Sequence, residues 1–108
     1  MSYKVELTDN FKKEAKKLIK KYDSLRTELA ELGQKLAEHP TLGTPLGNDV
    51  YKIRIPIASK NKGKSGGARI ISFVKIIDNT VYLLSIYSKG EKDSISDKEI
   101  KELLREFL

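Results

Sequence analysis

Tyr3 to Leu7 alternate as Tyr-Lys-Val-Glu-Leu, and a period of two predicts a half-buried strand. Thr8 or Asp9 then caps a helix. Phe11, Ala15, Leu18, Ile19 and Tyr22 share one helical face, and Lys12, Lys13, Lys16, Lys17, Lys20 and Lys21 fall outside it. After a break at Asp23-Ser24, Leu25, Leu29, Leu32 and Leu36 recur at helical spacing to about Glu38. Together these segments predict a helical hairpin, ended by the Pro/Gly connector HPTLGTPLGND. Three strand-like runs follow: VYKIRIPI, ARIISFVKII and TVYLLSIYS. Asp78-Asn79 joins the last two as a hairpin turn, so they should be antiparallel. Ser96 and Glu99 form a capping box for a last helix, whose Ile100, Leu103, Leu104 and Phe107 share a face. The expectation is an α+β fold of order β-α-α-β-β-β-α, mainly antiparallel, with helices covering one face of the sheet.

At 108 residues the chain is read as a single domain, 1–108, with one core. It has no cysteine and one histidine, which excludes a disulfide framework and argues against structural zinc. No apolar run reaches the ~20 residues of a membrane span, and the first residues lack a signal peptide's apolar stretch. A soluble cytoplasmic protein without metal or cofactor is expected.

Charge changes this picture once it is placed along the chain. The net charge is +6. Residues 1–22 carry seven lysines against three acids, and residues 50–77 carry seven basic residues and no acid. From Gly90 the sign reverses, with six acids against four bases. An acid-free basic block within a folded domain is the footprint of a polyanion binder. A lysine-rich solvated surface is the plainer explanation, and clustering on strands and one loop favours the former.

Ala58 through Ser65 fits a relaxed phosphate-loop pattern, ending Gly63-Lys64-Ser65. Such a loop must open into a helix whose amides hold phosphate. Here Gly66-Gly67 leads into ARIISFV, a strand, so the nucleotide-binding reading fails.

If Tyr51, Ile53 and Ile55 face the helices, Lys52 and Arg54 stand on the opposite face of the sheet. Arg69 opens the next strand, and Tyr87 and Lys89 end the last. Antiparallel pairing can gather these groups into one patch, although outward lysines and an aromatic strand end have ordinary solvated or core roles. The glycines before Arg69 should let backbone and side chain approach a ligand. The patch lacks paired histidines and an obvious carboxylate base. RNA supplies its own nucleophile, however, and cations can orient its 2′-hydroxyl and neutralise the phosphate. A metal-independent ribonuclease is chemically reasonable, with Lys52 as candidate base. Lys60, Lys62 and Lys64 would position the substrate. Lys12, Lys13, Lys16 and Lys20 suit RNA phosphates, a solvated helix face being equally common. His39, in the connector, is read as structural or exposed.

The GTPLGNDVYKIRI junction, the GKSGGARII segment and the YLLSIYSKGEKD ending, in that order, resemble the RelE/HigB toxins of bacterial type II toxin–antitoxin systems. The resemblance covers nearly the whole chain. It implies a small α+β toxin that enters the ribosomal A site and cleaves messenger RNA, and a cognate, DNA-binding antitoxin. By position it carries roles in phosphate and messenger chemistry onto Lys52, Arg54, Arg69 and Lys89. Gly90 stands where the best-studied members have a second basic residue, and no tyrosine lies near Ser96. Tyr87 or a loop lysine is therefore the substitute acid. Two other classes compete: a ParE-like gyrase poison of the same superfamily, and a non-catalytic RNA- or ribosome-binding module.

Overall fold

Thr8 ends one element and starts another. Its backbone is extended, and its hydroxyl accepts from the Phe11 N–H at 3.1 Å, capping the helix that follows. In the computed structural model, which describes residues 2–60, 67–92 and 94–107, Thr8 separates strand β1 (Lys4–Leu7) from helix α1 (Asp9–Lys21). Helix α2 (Leu25–Glu38) follows, then strands β2 (Thr44–Gly47), β3 (Val50–Ile55), β4 (Ala68–Lys75) and β5 (Thr80–Ser88), and helix α3 (Asp97–Leu104). The strands form one sheet in the order β1-β5-β4-β3-β2. Its β2–β3–β4–β5 part is antiparallel, and β1 pairs parallel to β5.

The expected hairpin turn is present, with Asn79 in the left-handed region at φ 49°. It differs in length, because Ile76 to Asp78 leave β4 as a short 3-10 turn. Strand β2 lies inside the segment read as connector. It pairs with β3 across Asn48 and Asp49, whose φ values of 54° and 64° are those a two-residue primed turn requires. Pro45 hides this strand from pattern reading, yet an edge strand tolerates proline because its outer amides need no partner.

The α1–α2 hairpin covers one face of the sheet. Phe11, Ala15 and Leu18 of α1 and Leu25, Leu32 and Leu36 of α2 pack on Ile53, Ile55, Ile70, Val74, Val81, Leu83 and Ile86. The opposite face is not left open, as the expectation of helices on one face had it. Helix α3 lies there, its capping box formed by Ser96 and Glu99. Leu104 is buried with Val50, Ile71, Leu84 and Tyr87, and Ile100, Leu103 and Phe107 pack beside them. The Phe107 and Tyr82 rings meet at a tilt, with centroids 4.5 Å apart. The reason is visible in β4 and β5, whose residues are buried almost without alternation, as in strands covered on both sides.

Candidate functional site

Register brings the site together. Arg54 on β3 lies directly opposite Arg69 on β4, and Arg69 directly opposite Tyr87 on β5. Directly paired residues share a face, and Tyr87 and Val50 place that face on the α3 side. Two arginines and a phenol thus form a row across three strands. Like charges opposed across strands are destabilising unless something anionic lies between them.

The row is buried at its centre and open at one end. Arg54 is exposed, whereas Arg69 and Tyr87 are each only 7% exposed. Among the described residues, Arg69 donates to the Ala68 carbonyl at 3.3 Å, and no carboxylate pairs with it. The Tyr87 hydroxyl is buried and has no hydrogen-bond partner among the described residues. An unpaired buried cation and an unsatisfied buried hydroxyl each cost stability, and an anion could satisfy both.

Lys52 stands two residues before Arg54 on the same side, half-buried and opposite Ile71. Lys89 follows β5, with its side chain exposed and its N–H donating to the Gly67 carbonyl at 3.1 Å. Gly67 has a different reason from the one expected. A Cβ there would come within 2.2 Å of the Ile55 carbonyl oxygen, so the missing side chain admits the neighbouring strand rather than a ligand. Lys62, Lys64 and Gly66 lie outside the described residues, as does the Lys60 side chain; the Lys60 backbone closes a 3-10 turn after β3.

Sequence reading missed Lys92. The turn after β5, closed by the Glu91 and Lys92 N–H groups donating to the Ser88 carbonyl, returns Lys92 over Tyr87, with Nζ 5.5 Å from the ring centroid. Lys92 also forms an ion pair with Glu99 in the first turn of α3. The only sequence signal was the cation itself, set among acids in the tail. Burial pushes the Tyr87 phenol above its usual range; Arg69 and Lys92 pull against that shift, and Glu99 adds to it. The Tyr87 phenol therefore stays protonated at neutral pH. Hydrogen bonding from Lys92 holds the Glu99 carboxyl below its ordinary range.

Lys12, Lys13, Lys16 and Lys20 are exposed on α1, as expected, but α1 packs on the other face of the sheet. They do not join the arginine row. Lys12, Lys16 and Lys20, with Arg26, border an apolar groove of about 550 Å³ floored by Val5, Phe11, Ala15 and Leu83. His39 caps the end of α2 and is exposed. Among the described residues, no group of three or more His, Cys, Asp or Glu side chains could hold a metal, and no helix is long and apolar enough to cross a membrane.

The family model for the RelE toxin of the RelE/RelB toxin–antitoxin system matches residues 3–106. Solved structures share the fold. A double mutant of the E. coli toxin RelE in the free state superposes with a TM-score of 0.67 at 20% identity, covering 100% of both chains. The isolated E. coli RelE toxin gives 0.62 at 19% identity, over 99% of this chain and 100% of that one. The intact E. coli RelBE toxin–antitoxin complex gives 0.60 at 20% identity, over 79% of this chain and 94% of that one.

Proposed function

The chain belongs to the RelE toxin family, and from that premise we propose that it is a ribosome-dependent endoribonuclease that cleaves messenger RNA in the A site. The observation that carries this reading is the cross-strand row of Arg54, Arg69 and Tyr87. It holds two like charges and a partnerless phenol with no carboxylate against Arg69 among the described residues.

The chemistry is in-line attack of a 2′-hydroxyl on the adjacent phosphorus. The 2′-oxygen forms the new P–O bond, the bond to the 5′-oxygen breaks, and the products are a 2′,3′-cyclic phosphate and a 5′-hydroxyl. Lys52 is the candidate base for the 2′-proton. Arg69 binds the non-bridging oxygens, and its planar fork holds them as negative charge grows. Tyr87 supplies the proton that the 5′-oxygen needs. Arg54 and Lys89 hold the flanking backbone, as do Lys60, Lys62 and Lys64. Lys12, Lys13, Lys16 and Lys20 offer ribosomal RNA a second, non-catalytic surface. No step requires a metal or cofactor.

A toxin of this kind requires a partner that neutralises it. A RelE chain is seen with the antitoxin RelB in the E. coli complex, and we assign this chain a cognate antitoxin and a cytoplasmic place of action. Co-expression with the neighbouring gene should restore growth, and persistent arrest would count against that partner. The test of function is cleavage of messenger by purified protein on programmed ribosomes, with chelator controls on naked RNA. Intact messenger, with DNA supercoiling blocked instead, would move the chain to the gyrase-poisoning class.

A further inference from the structure

Strand β5 changes sides partway along. Leu83 packs toward the α1–α2 hairpin and Leu84 toward α3. Strict alternation from Leu84 would turn Ile86 toward α3 and Tyr87 toward the hairpin. The reverse is found: Ile86 packs with the hairpin and Tyr87 with α3. The change occurs where Ile71 pairs with Ser85 and Ser72 with Leu83, leaving Leu84 as the extra residue of a β-bulge. Bulges re-aim the side chains beyond them and leave ladder groups unpaired.

Two side chains of α1 satisfy the bulge. Asn10 Nδ2 donates to the Leu84 carbonyl at 2.9 Å. Glu14 Oε1 accepts from the Ser85 hydroxyl at 2.7 Å and from the Ile86 N–H at 3.3 Å. Asn10 Nδ2 also donates to the same Glu14 oxygen at 2.9 Å, so amide and carboxylate brace one another. Ser85 is buried, and this is a placed acid within an otherwise lysine-rich helix.

We propose that Asn10 and Glu14 are positioning residues for RNA cleavage: by holding the bulge at Leu84–Ser85 they set Tyr87 on the face of Arg54 and Arg69. The proposal rests on reading that row as the cleavage site. Glu14 acts through Tyr87, by holding β5 at Ser85 and Ile86 just before it.

The test labels the five tyrosines with meta-fluorotyrosine and follows Tyr87 by fluorine NMR, its resonance identified by loss in Tyr87→Phe. Cleavage on programmed ribosomes is measured in parallel. Glu14→Ala should move the Tyr87 resonance and lower kcat roughly tenfold or more while KM changes little, because a misplaced group costs rate rather than affinity. Glu14→Gln keeps an acceptor oxygen for Ser85 and Ile86 and should recover most of that loss. Adding Glu14→Ala to Tyr87→Phe should cost little further, since both act on one group. An unmoved Tyr87 resonance, or fully additive losses, overturns the proposal. Should Glu14→Ala fail to fold, Ser85→Ala removes a single bond and is judged by the same two readouts. Wild-type protein that cleaves nothing would overturn the cleavage reading and the reaction role together. The resonance would then decide alone whether Glu14 places Tyr87.

Discussion

The two faces of the sheet are built to different rules. On the α1–α2 side, apolar side chains meet apolar side chains, and the polar interruption at the bulge is met by Asn10 and Glu14. Among the described residues, the Ser72 hydroxyl is buried there without a partner, and it is small and neutral. On the α3 side, aliphatic and aromatic packing shares the face with a buried guanidinium, an opposing arginine and a phenol that has no partner among the described residues. A face selected only for stability would replace Arg69 with an aliphatic residue, because a buried unpaired charge is expensive. The difference teaches where to look for function: the proposed site lies on the face that holds a buried charge with no carboxylate partner among the described residues.

Phe11→Ala tests the stabilising face most severely. Phe11 is 1% exposed at the centre of the hairpin core, and such a truncation costs about 3–5 kcal/mol. Denaturant unfolding should show that loss while the arginine row keeps its chemistry wherever the protein remains folded. Arg69→Ala tests the other face and should do the opposite. Cleavage should fall roughly a hundred- to a thousandfold, or ~2.7–4 kcal/mol of transition-state stabilisation, with little loss in melting temperature. Arg69→Lys should not restore the rate, because an ammonium lacks the planar fork. A variant that folds, binds ribosomes and cleaves at the wild-type rate would erase the distinction between the faces.

Tyr87→Phe sharpens it through pH. The folded-state phenol is raised above its unfolded value by burial, so its stabilising contribution is complete below the unfolded value of ~10. That contribution is lost as pH rises through the folded value. Wild type should therefore lose stability at alkaline pH more steeply than Tyr87→Phe, in thermal melts compared across that range. Parallel curves would mean that the phenol is not set apart by burial. The smallest effect belongs to Ser72→Ala, which removes an orphan hydroxyl at a fully buried position. It should leave stability unchanged or slightly higher, because no partner loses a bond. Marked destabilisation in urea would reveal a bond that the face depends on.

Local chemistry was legible in the chain wherever one residue or one period decides the outcome. Phe11, Ala15 and Leu18 follow the helical period, Thr8 and Ser96 carry their own caps, and Asn79 accepts a left-handed turn, so the helices and the β4–β5 hairpin could be read directly. The acid-free charge of residues 50–77 pointed to a polyanion, and strand alternation put Lys52 and Arg54 on one side. Tertiary structure alone decided the rest, because pairing register and helix placement depend on contacts distant in sequence. It set Arg54 against Arg69 and Arg69 against Tyr87. It laid α3 over the face that alternation in β3 had left open, and returned Lys92 over the Tyr87 ring. It also inserted one residue into β5, where no composition signal marks a bulge, and that insertion decides which face receives Tyr87.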